Sequence, residues 1–150
     1  MPFGLLSTQT LSVIDDVSLP HRNLSISMNP TNLSTIAAWS LFTLGIAHLV
    51  FALAKFKEPL FGAFRAGFVG KFADPESRRT AFWFAIFALP LTAAGHSAIH
   101  AVATGDLAIL RIIGYYVMVA SIIGIAAFPK SPFPASLAVA AMLLAAGYGW

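Results

Sequence analysis

The sequence predicts an all-α membrane protein: an antiparallel four-transmembrane-helix bundle with an amphipathic interfacial helix in its first loop. Three observations carry that prediction. Hydrophobic residues make up 58% of the 150-residue chain and charged residues only 10%, with a mean hydropathy of +0.80, whereas soluble domains run near 25% charged. Apolar stretches of roughly the 20 residues that a helix needs to cross a bilayer recur along the chain, separated by short polar joints. Six basic residues (Lys55, Lys57, Arg65, Lys71, Arg78 and Arg79) crowd one of those joints, which is the asymmetry by which membrane proteins orient. The formal net charge of +3 is therefore read as a topology signal, and no nucleic-acid partner is expected. With no cysteine in the chain, disulfides, thiolate nucleophiles and cysteine-ligated metals are excluded.

Residues 1–34 read as a polar N-terminal tail holding Asp15, Asp16, His21 and Arg22. Its opening, MPFGLLSTQTLSVI, lacks the basic start and continuous apolar core of a signal peptide. Asn23 and Asn32 each head an Asn-x-Ser triplet, which can be glycosylated only if this end is lumenal. The four-helix transmembrane domain occupies residues 35–150. Its first span, 35–55, is capped by Asn32, Ser34 or Thr35 and carries His48 past its middle. In the basic segment that follows, Leu60, Phe64, Phe68 and Phe72 recur every four residues, so one helix there would show an aromatic stripe. Arg65 and Lys71 fall elsewhere on the wheel, the pattern of an interfacial helix. Gly62, Gly67 and Gly70 weaken that helix and leave a re-entrant segment open.

Asp74-Pro75-Glu76 is a helix start: Asp74 accepts from free amides, Pro75 suits the first turn, and Glu76 opposes the dipole. The second span, 80–103, contains no Asp, Glu, Lys or Arg, and Pro90 predicts a kink in it. Within it lie Thr92, His96, Ser97 and His100. The two histidines are four apart and share one helix face. An ionisable pair at membrane depth is costly, and by default it marks a functional site. Thr104-Gly105-Asp106 is a tight turn that makes the second and third spans antiparallel neighbours. Asp106 caps the third span, 107–128, which holds Arg111, Tyr115 and Tyr116. Residues 128–134 form a stiff proline-rich turn. The fourth span, 135–150, is short and rich in Ala and Gly, suited to close packing, including between copies in a homo-oligomer. The positive-inside rule puts the first loop in the cytosol and both termini in the lumen of the endoplasmic reticulum.

The candidate catalytic groups fall in two places. At the lumenal end the turn lets His96, His100, Asp106, Arg111 and Tyr115 share one layer. There a His oriented by a carboxylate can act as base while Tyr, Arg or a second His stabilises an alkoxide. The competing reading is that Arg111 snorkels to the interface and Tyr115 belongs to an aromatic belt. His48 enters from the other half, where Tyr116 is its expected partner, so that His48, Tyr116 and His96 make a polar track. A single histidine in a span can equally be a helix–helix hydrogen bond. Glu58 and Arg65 in the first loop are a second candidate site. His96 and His100 have metal-ligand spacing, with Asp106 or His48 as a conceivable third. No Glu follows the first His as in the HExxH pattern, so no metal is assigned. A nucleophile elbow, a phosphate loop and a dinucleotide fingerprint are all missing from the sequence, and no cofactor is expected.

The motifs GIAHLVFA, LFGAFRAGFVGKF, AFWFAIFALP and FPKSPFP before a final apolar run carry a resemblance. Over residues 35–150 the chain resembles the small four-helix membrane proteins grouped as domain of unknown function 6463. The matching positions are Gly45, His48, Gly67, Phe82-Trp83-Phe84 and the proline-rich turn. This resemblance implies a four-span fold and supplies no activity; His96, His100 and Arg111 fall outside its motifs. The sequence is also similar to small membrane proteins of fungal polyketide or terpenoid pathways that open epoxides. The expected function is accordingly a membrane-embedded enzyme of secondary metabolism. It opens an epoxide, as hydrolase or cyclase, on a lipophilic molecule entering from the bilayer, using acid–base groups in a dry pocket. The alternative is a non-catalytic membrane protein: an assembly subunit, or a lipid or small-molecule carrier. A roomy cavity beside the histidines would mark the enzyme; histidines locked in bonds between helices would mark the alternative.

Overall fold

Local punctuation divides the chain, whose computed structural model describes residues 30–150. The tail residues Asp15, Asp16, His21 and Arg22 and the Asn23 triplet lie outside the described residues. Six helices follow: α1 (Pro30–Lys55), α2 (Lys57–Arg65), α3 (Glu76–Ile86), α4 (Ala88–Thr104), α5 (Leu107–Ala127) and α6 (Phe133–Gly147). No strand occurs among the described residues. Among the described residues three stretches are long and apolar enough to cross a membrane: Asn32–Lys55, Glu76–Thr104 and Leu107–Ala127. The last helix, α6, has 15 residues and is shorter than a full crossing.

Several boundaries differ from the sequence reading, each for a local reason. The first helix starts at Pro30, a residue suited to a first turn, so Asn32, Ser34 and Thr35 lie inside α1 instead of capping it. The expected aromatic helix stops at Arg65. Gly67, Phe68 and Gly70 take positive φ values of 104°, 59° and 71°, a region that ends a helix and that glycine enters freely. The aromatic stripe is nevertheless assembled by the resulting turn. The rings of Phe64 and Phe68 lie 5.2 Å apart, those of Phe68 and Phe72 5.3 Å, and Phe72 reaches Phe82 at 5.0 Å.

Glu76 begins α3 as expected, but Pro75 occupies the capping position and no side chain caps the amides. Asp74 stands one residue too early for that bond. Glu76 instead meets Arg79 at 3.6 Å. The break predicted from Pro90 falls at Phe87, between α3 and α4. A proline has no N–H for the carbonyl four residues back, here Ile86, and its ring crowds that carbonyl. The α4–α5 turn closes as read. Gly105 adopts φ 72°, Asp106 N donates to Ala101 O at 2.8 Å and Gly105 N to Val102 O at 3.3 Å. This paired pattern terminates helices at a left-handed glycine. Asp106 then caps α5, its Oδ1 accepting from the amides of Ala108 at 3.1 Å and Ile109 at 3.3 Å. The last helix begins at Phe133, two residues before the expected start, because Pro134 is accommodated in its first turn.

Packing joins α1 to α4 and α5 to α6, with α1 also lying on α6 and α4 on α5. Gly45 faces Thr92 while Gly95 faces Phe42, so α1 and α4 run in opposite directions. Gly114 faces Leu144, Gly124 faces Phe133 and Gly147 faces Arg111, which sets α5 against α6 in the same manner. Alanines dominate the fully buried positions (Ala37, Ala38, Ala52, Ala63, Ala98, Ala101 and Ala140), with Leu41, Leu110 and Leu143 as the largest. Large apolar side chains point outward, among them Trp39, Val50, Phe51, Trp83, Ile112 and Ile123. Water would not tolerate so much exposed apolar surface. Small residues inside and large ones outside is the pattern of helices packed in lipid, where close backbone approach supplies the attraction.

Candidate functional site

Among the described residues, His48 is the one histidine drawn into the interior. It is part-buried, its Nε2 lies 3.1 Å from the Phe84 carbonyl oxygen, and its ring stacks on Phe84 with centroids 4.4 Å apart. A carbonyl can only accept, so in this bond the Nε2–H of His48 donates to the Phe84 oxygen. Phe87, at the α3–α4 break, meets the same ring edge-on at 5.9 Å. His48 thus ties α1 to α3 next to that break. Tyr116 is not its partner: it is 76% exposed on α5.

His96 and His100 lie on the outer side of α4 and are exposed. The side of α4 that meets α1 is made by Gly95, Ala98 and Ala101, all buried. Neither imidazole makes a hydrogen bond, ion pair or ring contact among the described residues. The proposed track through His48, Tyr116 and His96 is therefore not formed. Asp106 spends its carboxylate on the two capping bonds. Glu58 and Arg65 are both exposed on α2, and no ion pair joins them. Among the described residues no three His, Asp or Glu side chains gather as metal ligands, so the third donor that the His96–His100 spacing called for, from Asp106 or His48, is not beside them.

What the structure does assemble at the α4–α5 turn end is a group the sequence reading only half contained. The aliphatic part of Arg111 packs where Gly147 leaves room, and its guanidinium lies 5.3 Å from the centre of the Tyr148 ring. The Tyr148 hydroxyl is 2.8 Å from the Tyr115 hydroxyl. Arg111 and Tyr115 are thus brought together through Tyr148, a residue that the sequence reading missed. The signal was present, since Tyr148 is the only polar aromatic in an Ala- and Gly-rich terminal run.

Two surface hollows among the described residues lie away from these groups. A groove of about 500 Å³ between α1 and α6 is lined by Ile36, Trp39, Ser40, Thr43, Leu44, Ala47 and Val139. A smaller one of about 190 Å³ lies between α1 and α4, against Trp39, Ile99 and Val102. Both are apolar and open.

Long apolar helices, small residues between them and large residues on the outside define a class: an all-helical chain suited to a bilayer. Within that class the chain belongs to the family described as "Family of unknown function (DUF6463)", whose match covers residues 32–150. No curated protein and no solved structure matches the chain. The likeness to epoxide-opening enzymes is not shown by the family match.

Proposed function

We propose that this chain is a non-catalytic, membrane-embedded assembly subunit: an antiparallel four-span bundle, with α6 as a short fourth span, that pairs with a second copy through the outer face of α4. One observation carries the reading. His48 is locked in a bond between helices, while His96 and His100 face out of the bundle with no partner among the described residues. Imidazoles turned toward lipid are costly, and a covering helix that hydrogen-bonds them relieves the cost. A neutral imidazole is both donor and acceptor, so a twofold-related copy of the same face is self-complementary. Ala93 and Ser97, which are exposed on the same face as the histidines, are small enough to let a second α4 approach. The basic first loop faces the cytosol in this arrangement, with the termini in the lumen of the endoplasmic reticulum. Light scattering on the purified protein in mild detergent tests the reading. Wild type is expected as a dimer and the His96→Ala/His100→Ala variant as a monomer; equal masses would refute it.

A second reading, epoxide opening on a lipophilic substrate, is favoured by the Tyr115–Tyr148 hydroxyl pair beside Arg111. Two phenolic hydroxyls can hydrogen-bond one epoxide oxygen, and a nearby guanidinium favours the alkoxide that forms. Turnover of lipophilic epoxides by the wild type, lost in Tyr115→Phe and Tyr148→Phe, would support this reading over the first.

A further inference from the structure

The six basic residues of the first loop are not equivalent. Arg79 is paired with Glu76 at 3.6 Å. Lys55, Lys57, Arg65 and Lys71 are exposed. Arg78 differs from all of them, because it is part-buried between α3 and α2. Its guanidinium lies against α2 at Gly62, where an added Cβ would stand 3.2 Å from Nη2, 3.7 Å from Nε and 3.8 Å from Cζ. It has no carboxylate partner and no hydrogen bond among the described residues. A guanidinium is planar, permanently charged and weakly hydrated, and its fork of donors matches phosphate oxygens two at a time. Held in place by packing with its donors unspent, Arg78 is prepared for an anion.

Its surroundings specify which anion. Arg78 stands two residues into the apolar stretch Glu76–Thr104, at the level where a spanning helix meets headgroups. Phe82, one turn further in on the same face of α3, joins the aromatic group of Phe64, Phe68 and Phe72. Phe61, Phe64, Phe68 and Trp83 are each about half exposed or more, and aromatic rings of this kind settle at the membrane interface. The segment 55–79 carries six basic residues against Glu58, Asp74 and Glu76, a positive balance that attracts an anionic leaflet. We infer that Arg78, seated on Gly62, binds the phosphate of an anionic phospholipid whose acyl chains lie against the exposed phenylalanines. The inference rests on the membrane-spanning part of the reading above and is independent of the α4 pairing.

The test uses the full chain in neutral detergent, with phosphatidylglycerol titrated in and thermal unfolding as the readout. Phosphatidylcholine and inorganic phosphate serve as comparators. Phosphatidylglycerol is expected to raise the wild-type midpoint by mass action, with phosphatidylcholine and inorganic phosphate giving little. Arg78→Gln is expected to weaken the apparent affinity about tenfold, the effect of losing one charge-assisted contact. Arg79→Gln, which removes the same charge, should retain the response. Should Arg78→Gln not fold, Gly62→Val carries the same test, because it displaces the guanidinium and keeps every charge. An unchanged response in Arg78→Gln or Gly62→Val, or an equal response to phosphatidylcholine or to inorganic phosphate, would overturn the site. A chain that stays in solution without detergent would instead overturn the membrane reading beneath it.

Discussion

The two sides of α4 carry opposite chemistry on one helix. Toward α1 it presents Gly95, Ala98 and Ala101, so close that a methyl group on Gly95 would stand 2.4 Å from the Phe42 Cα. Away from α1 it presents Ala93, His96, Ser97 and His100, all exposed. The first side is finished within the chain, packed chiefly against α1 and joined to a core shared with Leu110 and Leu143. The second carries imidazoles that nothing among the described residues satisfies. Internal stability and external association are therefore separated on one element, and substitutions on the two sides should separate them too.

The largest effect is expected inside the seam. Gly95→Ala places a methyl against backbone atoms of Phe42, and backbone, unlike a side-chain tip, cannot rotate away. Overpacking of this kind costs about 1–3 kcal/mol and occasionally more, and Gly95→Ala should reach the upper end. Unfolding by a denaturing detergent measures it. Wild-type stability in this variant would mean that α1 and α4 do not approach as described. By contrast, the methyl of Gly114→Ala meets side-chain atoms: Leu143 Cβ at 3.3 Å and, most closely, the branch of Leu144 at 2.9 Å. A rotamer change can relieve that contact, so its loss should be visibly smaller.

Next comes His48→Ala, which deletes the bond to Phe84 O and the ring stack. Hydrogen bonds between helices in lipid contribute about 0.6–2 kcal/mol, and the loss should appear as a matching fall in unfolding free energy. If stability were unchanged, the α1–α3 tie would be idle and His48 free for another use.

The smallest effect on stability is expected on the outer side. His96→Ala and His100→Ala remove exposed side chains with no hydrogen bond, ion pair or ring contact among the described residues, so each should stay within about 0.5 kcal/mol for the isolated subunit. A large loss in a monomeric preparation would show that the imidazoles are inside after all.

Why this division was not read from the sequence has a physical answer. In a soluble helix the polar side faces water, and periodicity reveals inside from outside. In lipid both sides are apolar, so hydropathy located the spans at 35–55, 80–103 and 107–128 without saying which way they faced. Residue size held the missing signal. Ala88, Thr92, Gly95, Ala98 and Ala101 recur every three or four positions and mark a seam where backbones approach. At about 100° per residue, His96 and His100 stand about 100° and 140° from Gly95, well off that seam. The turn at Thr104-Gly105-Asp106 was legible because its cause is local: a left-handed glycine and a capping carboxylate. The aromatic group of Phe64, Phe68 and Phe72 was legible in its membership but not in its form. Its spacing fits a helix, and two glycines convert that helix to a turn. Tyr148 joins Tyr115 and Arg111 only through the α5–α6 packing, a long-range relation that no local pattern encodes.

The central claim is that the histidine side of α4 meets its own copy in the membrane, and the cysteine-free sequence makes it directly measurable. A single cysteine placed at Ser97, between the two histidines, brings two thiols within disulfide reach across a twofold axis if the faces pair. Mild oxidation of native membranes should convert the Ser97→Cys chain to a covalent dimer. Adding His96→Ala and His100→Ala should abolish that product, and a cysteine at exposed Ile123 on α5 should give none. Absence of the Ser97→Cys dimer, or its persistence without the two histidines, would contradict the account.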